Sequence, residues 1–469
     1  MKDTKRRFEL FSFYDYTGIA LHLSKMAEKG WLIDKISNFG WTYRRIDPKK
    51  LEFFVSYYPK ASEFDPEPTE EQKAFHDFCE HTGWILAATA AQMQIFYNER
   101  SNPTPIETDP VLEIETIHAA AKKSYLPGYF IWLLISIMYA TMFISGLLGN
   151  LIGLLSSTSN LFSGVAMLML FLQCVTELYG YFVWRTKAKK AAARGEFIAT
   201  PSHLYRQKIL LGIVLTDFVY WLITVVLQGN PLMRTASLIM LLYMAVLIVL
   251  VNGIKSLLKR RKAPRSVNRI VTVFSSFVLA FVMTIVITFS ILRAARNGLF
   301  ERDRETYKYN GATFTVYMDE LPLTVEDLSD ISYDGYIKER RSEESLLLGQ
   351  FVMRQHPRFD AVNYTEMPDL EYTITEIKLP FLYEFCKNSL LNERKDDKTV
   401  DGQVDFYDHY EPVDPTPWKA KEAYRLYWSY GHFIDRYLLC YEKRIVDIMF
   451  YWEPTPEQMA ITADKLSGG

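Results

Sequence analysis

Two carboxylates lie inside long apolar stretches of the chain, where an ionised side chain is costly. They are Glu177 and Asp217. A carboxylate within a membrane span is by default a functional candidate, because it can hold a proton or a cation. Each lies about eight or nine residues from the basic end of its stretch, which in a helix places both about 12 Å deep. They could form one proton or cation site. Alternatively, each could bond a neighbouring helix through Gln173, Tyr179 or Tyr220.

The four cysteines suggest two further kinds of chemistry. His76, Cys79 and His81 form the pattern HxxCxH, but His81 leaves the helical face that the other two share, and no second ligand pair follows at zinc spacing. We therefore predict no metal site and a buried Cys79. Cys386 and Cys440 both fall in the C-terminal third. They could form a disulfide if that part lies in an oxidising compartment.

No catalytic or cofactor motif accompanies these residues. The sequence lacks a phosphate-binding loop, an HExxH zinc motif, a GxSxG nucleophile motif and the kinase motifs. We therefore predict no catalytic residues, no cofactor and no enzymatic activity. Residues 297–469 hold 33 acidic and 20 basic residues, and no basic reading helix is evident, which excludes nucleic acid as a partner.

Five apolar stretches contain or surround the two intramembrane acids. Each has about 20 residues, enough to cross a hydrocarbon core of about 30 Å. Backbone groups in lipid must be satisfied internally, so these stretches are expected to be helices. The sequence thus predicts a five-helix transmembrane bundle over 126–294, with the lipid bilayer as its partner. The predicted spans are 129–153, 161–184, 209–228, 236–254 and 270–292.

The charges between the spans predict their orientation. Segments 185–208 and 255–269 hold 14 Lys and Arg residues, whereas the other two connectors hold one, Arg234. Basic connectors stay in the cytoplasm. We therefore predict a multi-pass protein of the cell membrane. Its N-terminal domain, 1–125, is cytoplasmic, and because the number of spans is odd, its C-terminal domain, 295–469, is extracytoplasmic.

Both terminal regions are predicted to be α+β domains, so the fold class is a multidomain membrane protein. In 1–125, Gly30-Trp31 and Gly83-Trp84 each close a helix and open a strand, 53 residues apart. This spacing favours two repeated helix–strand–strand units, although a common helix-to-strand turn would give the same pattern. In 295–469, short alternating strands are interspersed with helices.

The N-terminal region resembles a known family. The segments that carry the resemblance are FSFYDYTGIALHLSKMAEKGW, WTYRR, FVSYYP, FDPEPTEEQ, DFCEHTGW and QIFYNE. They are similar to the bacterial membrane proteins with domain of unknown function 2812, over roughly the first 125 residues. The resemblance implies a cytoplasmic module followed by membrane spans in Gram-positive bacteria. It also implies a gene often found beside PadR-type regulators, hence regulated expression or signalling. It implies no activity and no catalytic residues.

This layout favours a sensor or regulatory protein of the membrane. The outer domain would respond to a ligand or to the state of the envelope, and the cytoplasmic domain would bind a protein partner. The alternative is a transport protein, or an accessory subunit of a transporter, that uses Glu177 and Asp217. A membrane enzyme acting on lipid or wall precursors is a weaker third hypothesis. It would need a cluster of polar residues at one membrane face, beyond the two acids.

Overall fold

The architecture comes from a computed structural model of the full chain. It describes residues 3–37, 40–201, 203–227, 229, 231–296, 305–329, 335–362, 364–393, 399–400, 403–404, 408–428 and 431–468. The chain divides into two compact units. The first comprises Met1–Ala140 and Val165–Ala294, and the second comprises Thr141–Gly164 and Ala295–Gly469.

The N-terminal domain consists of two consecutive β-α-β-β units with the same connectivity. In each unit the third strand lies between the first and the second, and all pairings are antiparallel. The first unit contains β1 (Thr4–Arg7), α1 (Tyr16–Glu28), β2 (Trp31–Ser37) and β3 (Gly40–Arg45). The second contains β4 (Glu52–Tyr57), α2 (Glu70–His81), β5 (Ile85–Ala90) and β6 (Met93–Asn98).

The repeat extends to the irregular backbone positions. Gly30 and Gly83 follow the two helices with φ of 78° and 91°, a region that a residue with a Cβ adopts only under strain. Each hairpin then has a bulge, at Asp34 in the first unit and at Ala87 in the second. The glycines and the bulges are both separated by 53 residues. An internal repeat therefore explains the sequence pattern better than a coincidental turn.

Five helices are long and apolar enough to cross a membrane, which confirms the predicted number of spans. The chain is thus a multi-pass membrane protein. At most 17% of the apolar window of any of these helices is buried, as expected for surfaces that lipid covers. These five spans are α4 (Tyr125–Gly149), α6 (Thr158–Ala192), α7 (Leu204–Leu227), α8 (Pro231–Arg260) and α9 (Arg265–Arg296). Another helix, α3 (Pro110–Lys123), precedes the first span.

The first span ends earlier than the predicted boundary at residue 153. Helix α4 stops at Gly149, and the side chain of Asn150 accepts a hydrogen bond from the backbone N–H of Gly153 (2.9 Å). This N-cap starts a separate short helix, α5 (Leu151–Ser156). Helix α5 belongs to the second compact unit of the chain, where Ile152 and Leu155 are buried in the core of the C-terminal domain.

The C-terminal domain is built on a seven-stranded antiparallel sheet, and its β-rich fold with helices confirms the predicted class. The strand order is β14-β15-β16-β17-β11-β10-β9. These strands are β9 (Tyr336–Glu344), β10 (Leu348–Pro357), β11 (Leu370–Ile377), β14 (His409–Val413), β15 (Glu422–Trp428), β16 (His432–Cys440) and β17 (Arg444–Phe450). Two small hairpins pair β7 (Thr306–Tyr309) with β8 (Ala312–Thr315) and β12 (Thr399–Val400) with β13 (Gln403–Val404). The helices are α10 (Val325–Leu328), α11 (Tyr383–Glu393) and α12 (Pro456–Leu466).

The segment between the first two spans belongs to this second unit. The hydroxyl of Ser345 donates to the carbonyl of Leu155 (2.6 Å). The hydroxyl of Thr158, the first residue of α6, donates to the carbonyl of Glu344 (2.8 Å). The first residues of α6, up to Gly164, therefore belong to the second compact unit, and the rest of the helix belongs to the first.

Candidate functional site

The carboxylate of Glu177 is buried where the N-terminal domain meets α6 and α7. The side chain is fully buried and accepts four hydrogen bonds. Its Oε1 accepts from Ser12 Oγ (3.0 Å), Gln207 Nε2 (2.9 Å) and Arg206 Nη2 (2.5 Å). Its Oε2 accepts from Tyr125 OH (3.1 Å). A carboxylate has about four acceptor positions, so these donors satisfy a charge that would be costly to bury alone.

Helix starts bring these donors together. Asp15 caps α1 by accepting a hydrogen bond from the backbone N–H of Gly18 (3.1 Å). Its own N–H donates to the carbonyl of Ser12 (3.0 Å), which closes a turn just before the helix. Arg206 and Gln207 lie in the first turn of α7. The cap of a soluble helix and the start of a membrane helix therefore meet at Glu177.

The connector between α6 and α7 is bound to the same end of α1. Tyr16 OH lies 3.2 Å from the carbonyl oxygen of Ile198. The backbone N–H of Thr200 donates to the hydroxyl of Thr17 (2.9 Å), and the hydroxyl of Thr200 donates to the carboxylate of Asp15 (2.6 Å). Asp15 thus caps α1 and also anchors the connector.

An aromatic cluster surrounds the junction. The ring of Tyr14 stacks on Trp184, with centroids 5.4 Å apart, and meets Tyr181 edge-on. Gly180 provides the space for this packing, because a Cβ there would lie 2.6 Å from Tyr14 OH and 3.0 Å from His203 Nε2. Those two atoms are buried without a hydrogen-bond partner in the described part of the chain.

Burial shifts the pKa values of three groups at or near this junction, Glu113, Asp15 and His203. It raises the pKa of Glu113 to about 7, although a hydrogen bond from Tyr16 (3.1 Å) acts in the opposite direction. Burial also raises the pKa of Asp15, against the hydrogen bond from Thr200. Burial and then the charge of Arg206 lower the pKa of His203. The cation paired with Glu177 is Arg206.

A second contact joins the N-terminal domain to the connector between α8 and α9. It is made by the acidic turn, residues 62–67. The side-chain amide of Asn268, which is fully buried, donates to the carbonyl of Phe64 (3.0 Å). Three ion pairs surround this bond, and because their side chains are partly exposed each contributes little by itself. They are Glu63–Lys255 (3.0 Å), Glu67–Lys262 (2.6 Å) and Asp65–Arg265 (3.7 Å).

The structure does not bring Glu177 and Asp217 together. Asp217 lies ten residues after Gln207 on α7, so it is about 15 Å further along the helix than the level of Glu177. Its Oδ2 is buried and has no hydrogen-bond partner among the described residues. The hydrogen-bond partners of Glu177 do not include the expected neighbours, Gln173, Tyr179 and Tyr220.

The cysteines and histidines lie in separate environments. Cys79 is fully buried beside Trp84 and Phe96, and burial raises its pKa to about 11. Nε2 of His76 is 2.7 Å from the amide oxygen of Gln94. Within the described ranges, no three or more potential metal ligands come together. Cys386 and Cys440, which were considered for a disulfide, are free thiols in this structure and are buried in one apolar cluster. Burial raises their pKa values to about 11 and about 12.

The C-terminal domain carries an open groove of about 530 Å³. Its lining combines carboxylates with aromatic side chains. Burial raises the pKa of Asp369. The indole N–H of Trp452 donates to Gln458 (3.2 Å), which fixes that ring at the groove. The lining residues are Ser329, Thr365, Glu366, Met367, Pro368, Asp369, Tyr451, Trp452 and Gln458.

The donors to Glu177 are not predicted from the sequence, in which Glu177 has the position of an acid deep in a span. The contact with Ser12 could not be predicted from a local pattern, because Ser12 lies 165 residues from Glu177 in sequence. For Arg206 and Gln207, the sequence does contain a pattern that predicts this contact. A cation and an amide at the start of one apolar helix can reach a carboxylate near the end of the preceding antiparallel helix.

The fold and this junction define a class: a multi-pass membrane protein whose N-terminal α/β domain is docked on its helices. Residues 15–128 match the model of a family described as "Protein of unknown function (DUF2812)". The match confirms the resemblance of the N-terminal region and spans the chain from Asp15 to the first turn of α4. A search of curated proteins and a search of solved structures each found no match.

Proposed function

We propose that the protein is a non-enzymatic membrane sensor or regulatory protein. Its extracytoplasmic domain controls how its cytoplasmic domain engages a protein partner. The observation that carries this proposal is the fully buried carboxylate of Glu177, bonded to Ser12 of the N-terminal domain and to Arg206 and Gln207 of α7. Because this one buried charge bonds the N-terminal domain to both α6 and α7, a movement of these helices relative to each other would change the contacts of that domain.

Helix α6 is the element that carries the signal in this proposal. Its first residue, Thr158, is bonded within the C-terminal unit, and its later residue Glu177 is bonded within the N-terminal unit. A buried charge tolerates partial loss of its donors poorly. The junction therefore favours two states, one with the donors in place and one with a hydrated carboxylate, as a coupling element requires. The groove of the C-terminal domain supports a ligand as the stimulus.

The proposed orientation puts the N-terminus in the cytoplasm and the C-terminus outside, based on the basic connectors and the odd number of spans. All four native cysteines are buried, so single surface cysteines can report topology. We expect Glu457→Cys to react with a membrane-impermeant maleimide in intact cells, and Lys25→Cys to react only after lysis. Reaction of both in intact cells would place both termini on the same side and refute the orientation.

The sensing role is tested by comparing transcript and stress responses of cells that carry variants of the full-length gene. Deletion of 297–469 and the variant Glu177→Gln should both alter the response to envelope stress. The matched control is Tyr179→Phe, which removes a hydroxyl from the exposed face of the same helix. If the deletion leaves transcripts and survival identical to wild type, the sensing role is wrong.

A transport role is the second candidate, and one observation favours it. The unpartnered Oδ2 of Asp217 is a buried acceptor within a span, as a proton or cation site requires. Glu177 supports this role less, because its acceptor positions are occupied. Under the transport hypothesis, Asp217→Asn abolishes export or ion-dependent uptake and Glu177→Gln weakens it. Unchanged fluxes in the double variant would remove this candidate.

A further inference from the structure

We infer that the outer edge of β1 binds an acidic, extended segment of a protein partner, which adds to the sheet as a further strand. The inference rests on the proposed function only in taking a protein as the partner of the N-terminal domain. It names the surface of that domain and the chemistry of the segment that the surface takes. The surface consists of β1 (Thr4–Arg7) and Arg44 of β3.

The register of β1 determines which of its backbone groups are already bonded. β1 is the outermost strand of its sheet, and its four residues are all exposed. The backbone N–H of Arg45 in β3 donates to the carbonyl of Asp3 (2.9 Å). Hydrogen-bonded and non-bonded pairs alternate along an antiparallel ladder. Lys5 and Arg7, two and four residues after Asp3, therefore also bond to β3.

The residues between them, Thr4 and Arg6, have their backbone groups turned the other way. Their N–H and C=O groups point out of the sheet, because they belong to the non-bonded pairs of the ladder. No other described residue donates to these groups or accepts from them. A row of outward N–H and C=O groups on an exposed edge is a template for one more strand.

Positive charge lies beside this edge without a counterion. Arg44 is the partner of Thr4 in the register, so the side chains of Thr4, Arg6 and Arg44 lie on one face of the sheet. Arg6 and Arg44 are both exposed, and neither forms an ion pair within the described part of the chain. On the opposite face the cation is neutralised, because Arg7 pairs with Glu9 (3.2 Å).

The backbone groups and the charges together indicate the chemistry of the partner. Successive N–H and C=O groups at strand spacing are matched by another extended backbone, which a lipid headgroup does not provide. Charged side chains on an edge strand can also keep other strands away. Arg44, however, lies on the central strand β3, where a charge protects no edge. In a second copy of this chain, β1 would bring like charges against β1. An acidic segment of a different protein satisfies both the backbone and the cations.

The test uses the purified full-length chain in phosphatidylcholine nanodiscs. The probe is a short fluorescent peptide of alternating glutamate and valine, and a peptide with lysine in place of glutamate is the comparison. Fluorescence anisotropy measures affinity, and hydrogen exchange with electron-transfer fragmentation follows single amides. When about 90% of the chain is bound, the amides of Thr4 and Arg6 should exchange about tenfold more slowly. The amides of Lys5 and Arg7, already bonded to β3, should change little.

Variants separate the charges from the backbone pairing. Arg6→Gln with Arg44→Gln should weaken binding about tenfold, since an exposed charge pair contributes up to about fivefold. The control, Lys25→Gln with Lys29→Gln, removes the same charge from exposed positions at the end of α1, and should change binding by less than about twofold. Arg6→Pro also removes an outward N–H and should bind about fivefold more weakly than Arg6→Gln.

Several results would overturn the inference. Failure of the acidic peptide to bind, or equal losses in the two double variants, would overturn the acidic segment as ligand. Binding without slower exchange at Thr4 and Arg6 would overturn strand addition. Slower exchange there in phosphatidylglycerol nanodiscs without peptide would identify the membrane as the occupant and overturn the protein partner. Unchanged exchange in α1 shows that a variant is folded, and if Arg6→Pro is not, the double variant still decides. Because no cellular response is measured, the sensing role is decided separately, by the deletion of 297–469.

Discussion

Removing either member of the Glu177–Arg206 pair should have unequal consequences, because the two side chains differ in exposure. Glu177 is fully buried, whereas the side chain of Arg206 is 29% exposed. In Arg206→Gln the carboxylate stays buried with only neutral donors, from Ser12, Tyr125 and Gln207. Breaking a buried pair in this way costs about 3–5 kcal/mol. The three remaining donors place the expected cost near the lower end of that range.

The reverse change, Glu177→Gln, leaves a guanidinium that can turn towards water. Its cost is then about 2 kcal/mol, the value of a hydrogen bond to a charged group. In the double variant no charge remains buried, so its cost should fall at least about 1 kcal/mol below the sum of the single changes. The predicted order is that Arg206→Gln destabilises the junction more than Glu177→Gln, and that the two effects are not additive.

Hydrogen exchange in the solubilised full-length protein measures these free energies locally. Amides of α1 near its N-terminus should exchange about a hundredfold faster in Arg206→Gln, the ratio that corresponds to about 3 kcal/mol. Amides of β16 and β17 in the C-terminal domain serve as the internal reference. Equal effects of the two single variants, or strict additivity in the double variant, would refute the argument from burial.

Three further predictions concern the N-terminal core and the thiols. Gly180→Ala should lower the melting temperature of the N-terminal domain, because its Cβ would lie 2.6 Å from Tyr14 OH. Gly212→Ala, with nothing within 4 Å, should not; equal shifts would contradict the close packing. Glu113 has a pKa raised to about 7, so folding favours its protonated form, and stability should fall by up to roughly 3 kcal/mol as pH rises from 4.5 to above 7. A pH series of melting temperatures should show this slope in wild type and lose it in Glu113→Gln. Cys386 and Cys440 should resist maleimide at pH 7.5 until the C-terminal domain unfolds; rapid labelling of the native protein would contradict their burial.

The spans and the helix caps were predictable because each depends on local sequence. Apolar length alone determines whether a stretch can cross a bilayer, and five such stretches became five helices. The start of α2 is also local: the hydroxyl of Thr69 accepts from the backbone N–H of Gln72 (3.3 Å), and a Thr three residues before a Gln is a pattern typical of a helix N-terminus. The repeat was visible through two glycines that need the same positive φ.

The role of Glu177 was not predictable, because it depends on contacts between residues distant in sequence. Depth was estimated from the end of the apolar stretch at residue 184, but α6 continues unbroken to Ala192. Tyr181 and Trp184 on this helix pack in the core of the N-terminal domain. An acid counted as deep in a span therefore lies against a soluble domain. Likewise, Leu151–Ser156 has the composition of a span, and only Asn150 marks the break.

The basic residues that predict orientation do three different things in the structure. Lys255 and Lys262 pair with the acidic turn, and Arg206 pairs with Glu177. Arg185 and Lys189 have no carboxylate partner among the described residues. A charge count treats all of these as equal, yet each group responds to a different perturbation. High salt should weaken the exposed pairs of the acidic turn first, while the buried pair at Glu177 stays intact.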